Sequence, residues 1–274
     1  MRRSRVVTLI AVLLAGIGPV AIAQPASAAT GVPAGYTRVY SPKISVLGHH
    51  SATGSVKCPG TTVPIGGGVI IATGDLKDNI NSSYPSGRRW RVRVNIFGPD
   101  NTTFQVSAVC MKKPAGYQLI SHTDPAPATS MSGGSPILCP GNKVPWGGGF
   151  SAINSGALNV NKSYPLNGDS WRVAMNNGGS DSSFTTYAMC ANEPRLFRIA
   201  EVSGTSNPNS EDPSRSGGIT ARCGVGETVV AGGVLSHGFQ NVNTSIARNN
   251  AWVALFNNGP GRAPFTIQAI CVGT

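Results

Sequence analysis

Three polar segments of the chain share one pattern. Asn79-Ile-Asn81-Ser-Ser83-Tyr84, Asn159-Val-Asn161-Lys-Ser163-Tyr164 and Asn241-Val-Asn243-Thr-Ser245 each space two carboxamides and a hydroxyl two residues apart, and the first two add a tyrosine. Carboxamides and hydroxyls can both donate and accept hydrogen bonds, and an aromatic ring offers a flat apolar face. That combination suits a neutral sugar, which makes these residues candidate ligand contacts. The same Asn and Ser side chains can instead close turns on their own backbone.

A second feature is basic. Arg88, Arg89, Arg91 and Arg93 form one dense cluster, with Lys112 and Lys113 as possible companions. Exposed guanidinium groups at this density attract anionic polymers, and cell-wall polymers are the expected partner. Nucleic acid would call for interleaved aromatic residues and a known module, and neither is present. The competing role is the solvated face of a strand.

Catalytic chemistry is sparse. His49, His50, His122 and His237 show no His-Glu-x-x-His spacing, and no Gly-x-Ser-x-Gly elbow occurs. Asp75, Asp78, Asp100, Asp169 and Asp181 are scattered, whereas a glycosidase needs two carboxylates facing across a cleft. Asp75-x-x-Asp78-Asn79-x-Asn81 gathers several oxygens but lacks the EF-hand spacing and its glycine. The sequence assigns no catalytic residue, metal or cofactor.

These residues sit in a threefold repeat. Cys58, Cys110, Cys139, Cys190, Cys223 and Cys271 form successive pairs separated by 52, 51 and 48 residues, and the first cysteine of a pair recurs after 81 and then 84. Pro33-Ala-Gly-Tyr36 returns as Pro114-Ala-Gly-Tyr117. Cys58-Pro-Gly60, Val63-Pro64 and Gly66-Gly-Gly68 return as Cys139-Pro-Gly141, Val144-Pro145 and Gly147-Gly-Gly149, and more loosely as Cys223, Val229 and Gly232-Gly233. Trp90, Trp171 and Trp252 recur every 81 residues, each followed five positions on by Asn95, Asn176 or Asn257, and each copy closes on Ala-x-Cys. So many coincidences at one period mean internal triplication. The expected division is a leader over 1–28 and three β repeats over 29–112, 113–192 and 193–274.

The leader follows from Met1-Arg-Arg-Ser-Arg5, an uncharged apolar run from Val6 to Ala23, and the small-x-small site Ala26-Ser-Ala28. This is a secretory signal pattern, and no later segment is long enough to insert in a membrane. Cleavage takes three arginines and no acid. It leaves 19 cations against 11 acids, a net charge of +8 over 246 residues. An exported chain with one cysteine pair per copy predicts one disulfide per copy: 58–110, 139–190 and 223–271. Thiolate metal sites fit neither the spacing nor the compartment.

Strand signals dominate. Phe104, Val106, Ala108 and Cys110 alternate with polar or outward residues, as do the series from Phe184 to Cys190 and from Phe265 to Cys271. Trp90, Val92 and Val94 should point inward, with Arg91 and Arg93 outward. Gly66 to Gly68 reads as a bulge or close backbone approach at a strand start, and Tyr84-Pro85, Asn167-Gly168 and Asn258-Gly259 read as turns. Five to seven antiparallel strands per copy are expected. The connections Met111–Ala115 and Ala191–Arg195 are too short to leave the copies independent. The predicted fold is all-β: three tandem sandwich-like repeats packed together, with a pseudo-threefold, β-prism-like assembly of three sheets as the alternative.

The Cys-Pro-Gly…Val-Pro-x-Gly-Gly-Gly…Ser-Tyr-Pro…Trp-x-Val…Asn…Ala-x-Cys pattern resembles a repeat of secreted actinobacterial proteins whose function is mostly unknown. The resemblance implies export and repetition and brings no catalytic residue. The expected function is a secreted, non-catalytic protein that binds or decorates an extracellular surface such as a glycan or cell wall. The alternative is a secreted hydrolase with one active site in one copy.

Overall fold

The computed structural model describes residues 32–72, 75, 77–152, 155–206, 220–238, 240–257 and 261–273. The expected leader lies outside them, as does the Asn258-Gly259 turn. Every regular element among the described residues is a β-strand, and no helix there is long and apolar enough to cross a membrane.

Copy 1 supplies β1 (Thr37–Tyr40), β2 (Ile44–Val46), β3 (Ser51–Lys57), β4 (Val63–Ile71), β5 (Asn79–Ser86), β6 (Arg89–Asn95) and β7 (Thr102–Met111). Copy 2 supplies β8 (Gln118–Ala126), β9 (Met131–Gly133), β10 (Ile137–Leu138), β11 (Lys143–Ser151), β12 (Leu158–Leu166), β13 (Ser170–Asn177) and β14 (Ser182–Asn192). Copy 3 supplies β15 (Leu196–Ser206), β16 (Thr220–Arg222), β17 (Thr228–Ser236), β18 (Asn241–Arg248), β19 (Ala251–Asn257) and β20 (Ala263–Gly273).

Each copy folds as two antiparallel half-sheets. In copy 1, β7 pairs with β1, β2 and β4, while β3, β6 and β5 run side by side in the other layer. Trp90, Val92, Val94, Phe104, Val106 and Cys110 are buried between them. The alternation of apolar residues in β6 thus turns Trp90, Val92 and Val94 inward and Arg91 outward, whereas β4 and β5 are buried on both faces. One disulfide lies within each copy, Cys58–Cys110, Cys139–Cys190 and Cys223–Cys271. Each closes a loop of about 50 residues, worth about 4 kcal/mol in the chain-entropy model.

The copies share their sheets. β5 of copy 1 pairs with β11 of copy 2, β12 of copy 2 with β17 of copy 3, and β18 of copy 3 with β4 of copy 1. The cycle closes on itself and makes three continuous sheets, each built from two copies. Sheet A runs β1-β7-β4-β18-β19-β16, sheet B runs β3-β6-β5-β11-β14-β8, and sheet C runs β10-β13-β12-β17-β20-β15. Packing within a copy is therefore sandwich-like, and pairing between copies follows the pseudo-threefold alternative. The physical reason is edge satisfaction. In an isolated copy the two axial strands would each expose unpaired amides and carbonyls, and ring closure pairs all six axial edges.

The triple glycine makes that closure possible. A β-bulge precedes it in copies 1 and 2, between Pro64 and Gly66 and between Pro145 and Gly147, and copy 3 has one between Val229 and Ala231. A Cβ on the middle glycine would strike the copy's own indole, 2.5 Å from Trp90 at Gly67 and 2.2 Å from Trp171 or Trp252 at Gly148 or Gly232. On the last glycine it would strike the neighbouring copy's backbone. Gly68 would lie 1.7 Å from the Ser245 carbonyl, Gly149 2.5 Å from that of Ser83, and Gly233 2.6 Å from that of Ser163.

Tyr84-Pro85 is not a turn. It lies inside β5, and the reversal falls two residues later, where Gly87 adopts φ +59°. Ser86 pairs with Arg89 across this two-residue loop, so the next pair, Pro85 with Trp90, is a non-hydrogen-bonded one. The proline therefore removes no bond from the β5–β6 ladder.

Candidate functional site

The repeated polar segments begin where the three copies meet. Trp90, Trp171 and Trp252 are all but fully buried, and their indole N–H groups donate to Ser83 (2.9 Å), Ser163 (3.1 Å) and Ser245 (3.0 Å). A buried indole needs such an acceptor, so the serine of each segment serves the core. The middle asparagines of copies 1 and 2 reach across the copy boundaries. Asn81 Nδ2 donates to the Ser155 and Leu158 carbonyls at 2.7 and 2.9 Å, and Asn161 Nδ2 donates to the Gly238 carbonyl at 2.7 Å. Asn243 accepts from Thr244 Oγ1 at 3.0 Å, while its Nδ2 is buried without a partner. The serine bonds and those of Asn81 and Asn161 Nδ2 run to tryptophan and to distant backbone rather than to local turns.

The first asparagine of each segment behaves differently. Asn95 Nδ2 donates to Asn79 Oδ1 and Asn176 Nδ2 to Asn159 Oδ1, both at 3.1 Å. Asn79, Asn159 and Asn241 then line one cavity of about 440 Å³. The two tyrosines part company. Tyr164 is buried, whereas Tyr84 is half-buried on the outer face of sheet B.

That outer face carries a row of aromatic, basic and hydroxyl side chains. One cross-strand row runs Ser55, Arg91, Tyr84, Gly149, Tyr187, Ser121 from β3 to β8. Gly149 has no side chain, and the rings of Tyr84 and Tyr187 stack with centroids 5.3 Å apart and planes 15° from parallel. Partial burial raises the Tyr187 pKa, the neighbouring Tyr84 adds to the rise, and a hydrogen bond with Ser151 draws it partway back. Beside the rings, Thr53, Gly54, Ser55, Arg91 and Arg93 line a groove of about 460 Å³. Arg89 is exposed and donates to Ser55 Oγ at 3.3 Å. Arg88 faces inward, donating from Nη2 to the Cys58 carbonyl at 2.9 Å, with its Nε buried. The arginine cluster therefore divides into one structural member and three at the surface.

Tyr187 is the residue that sequence reasoning does not single out. Its signal was an outward position in the Phe184–Cys190 alternation, opposite the last glycine, where copies 1 and 3 place Ser107 and Gln268. In sheet C, Gln268 donates to Glu201 at 2.8 Å, and no aromatic pair forms there.

Asp78, Asp124 and Glu227 make bonds within the scaffold. Asp78 is buried and accepts the Phe97 and Gly98 amides at 2.7 and 3.2 Å. His122 lies on β8 rather than in a loop, with Nε2 3.5 Å from Asp124 Oδ1, which also accepts the Ser135 amide at 3.2 Å. Opposite His122, Thr186 is fully buried and its hydroxyl has no partner. Glu227 lies beside the Cys223–Cys271 disulfide, but its carboxylate is occupied by Arg198 and the Gly224 amide. No protein-family model matches the chain, and no curated protein is significantly similar to it.

Proposed function

We propose that the protein is exported and acts without catalysis, holding an anionic polymer of the cell envelope against the outer face of sheet B. The observation that carries this reading is the stacked Tyr84–Tyr187 pair over Gly149, flanked by the groove of Arg91 and Arg93, with Arg89 bonded to Ser55 of the same groove. The rings supply flat apolar contact for sugar units, and the guanidinium groups supply charge and directional donors for carboxylate or phosphate groups. The three disulfides are consistent with an extracellular protein, and the leader pattern supports export. The net positive charge of the mature chain aids encounter with an anionic surface.

The test is retention of the mature protein on purified cell wall at low and high salt, beside an Arg89→Ser, Arg91→Ser, Arg93→Ser variant and a Tyr84→Ala, Tyr187→Ala variant. Retention should fall as salt rises, because exposed charges are screened within about 8–10 Å at physiological ionic strength. Both variants should be released at lower salt than the parent. Equal retention of all three proteins at low salt would return the arginines to a solvated strand face. Turnover in a broad hydrolase screen, without retention on any polymer, would favour the single-site enzyme instead.

A further inference from the structure

The cavity lined by Asn79, Asn159 and Asn241 lies away from the sheet B groove and shares no lining residue with it. We infer that it is a second binding site, and that it takes a neutral polyhydroxylated ligand, a single sugar residue or the end of a saccharide chain. This inference rests on different residues from the polymer-binding proposal and stands independently of it.

Its lining determines the chemistry. Each copy contributes the first asparagine of its repeated segment, so the cavity is complete only when all three copies close into a ring. Asn176 adds a further carboxamide, and Thr129 and Ser130 add hydroxyls, while the Asn177 carboxamide is taken up by the frame of the cavity. A carboxamide offers donors and an acceptor side by side, which matches sugar hydroxyls that do both. None of the described lining residues is a carboxylate, and Lys77 is the one cation among them. That set is poor for a divalent metal, which wants carboxylate oxygens, and poor for a phosphate, which wants several cations or a nest of amides. Phe97, 46% exposed, and Ala157 give the apolar wall that the C–H face of a sugar ring would cover. The volume of about 440 Å³ suits a small ligand.

One unsatisfied atom points the same way. Asn176 is only 7% exposed, its Nδ2 donates to Asn159, and its Oδ1 is buried without a partner. A buried acceptor left unpaired costs about 1–3 kcal/mol, and a ligand hydroxyl would satisfy it once the Asn176 side chain turned to bring that atom to the cavity wall. The surrounding frame is already fixed. Asn177 donates to the carbonyls of Ala126, Pro127 and Ser180 at 2.8–3.0 Å, which ties the 127–130 loop to β13.

The experiment is a nuclear magnetic resonance titration of the ¹⁵N-labelled mature protein with glucose, galactose, N-acetylglucosamine and inorganic phosphate as separate probes. At least one sugar should shift the side-chain amide signals of Asn79, Asn159 and Asn176 saturably, with a Kd of about 1 mM. Phe97→Ala should weaken that sugar about tenfold and Phe97→Tyr should restore it, while Arg91→Ser, Arg93→Ser leaves it unchanged. The inference is overturned by phosphate binding in place of sugar, by shifts confined to Tyr84 and Tyr187, or by no response at the asparagines to any sugar.

Discussion

Corresponding positions on two outer faces carry different side chains. Sheet B presents Tyr84, Arg91 and Arg93 in the groove beside β3, where sheet A has the buried Ile246 with Val253 and Leu255 beside β16, and takes its arginines, Arg222 and Arg248, from other positions. Beneath both faces the interior is the same. Trp90 and Trp252 are buried on their serines, and Gly149 and Gly68 admit the neighbouring copy's strand. The inward residues hold ring closure, and a change at any of them is felt by two copies. The outward residues differ from one face to the other. The difference between the two faces therefore separates what the fold needs from what distinguishes one surface from another.

The sharpest break of that comparison is made from the inside. Trp252→Ala should cost about 3–5 kcal/mol, the range for deleting a buried aromatic ring, measured by chemical denaturation of the mature protein. Copy 3 has the loosest motif, so a near-neutral result there would mean that its tryptophan does not carry closure as Trp90 and Trp171 do. Ser83→Ala should cost less, about 1–3 kcal/mol, by leaving the Trp90 indole N–H buried without an acceptor. Neither change touches the sheet B groove, so the surviving folded fraction should keep the parent's retention on cell wall.

Much of the interior was legible before the strands could be placed. Cysteine spacing gave the three bridges, the triple glycine signalled close approach, and alternation put Trp90 inward and Arg91 outward. The pairing partners were not legible. Alternation records which face of a strand is buried, and says nothing of whether its free edge meets its own copy or the next. Tyr84 and Tyr187 illustrate the consequence. They lie in different copies and become neighbours only because β5 pairs with β11, which pairs with β14. The Asn-x-Asn-x-Ser segments were legible as polar and repeated, but one pattern held three roles. Its serine serves a buried indole, its middle asparagine in copies 1 and 2 bridges copies, and its first asparagine opens on a cavity.

From the outside, the comparison predicts almost no effect on stability. Arg91→Ser with Arg93→Ser should leave the unfolding free energy within about 0.5 kcal/mol of the parent, while retention on anionic polymer falls. The reciprocal graft sharpens this. Val253→Arg with Leu255→Arg places arginines at the sheet B positions beside the existing Arg222 and Arg248, without a tyrosine pair, and Ile246→Tyr adds one ring. If the two arginines alone bring sheet A to the retention of sheet B, measured in a background lacking Arg91 and Arg93, the aromatic pair contributes nothing to binding.

The smallest effect concerns the aromatic residue near the start of each copy and is invisible at neutral pH. Tyr36, Tyr117 and Phe197 stand at one position, each just before the residue that pairs with the second cysteine of its copy, and all three pack against the core. Tyr36 donates from its hydroxyl to the Val229 carbonyl of copy 3 at 3.0 Å. Burial pushes the Tyr117 pKa up to about 12, and burial also raises that of Tyr36, where Arg38 draws it partway back. Phe197 cannot ionise. An unfolded tyrosine gives up its proton near pH 10, so between there and the native value the folded state binds more protons, and stability falls as pH rises. Below pH 10 both states are protonated and no dependence arises from this group. Tyr117→Phe, which gives copy 2 the residue of copy 3, should therefore match the parent at pH 7 and lose stability less steeply above pH 10. Denaturant midpoints measured across that range decide it: an identical decline in both proteins would assign the alkaline sensitivity to other groups.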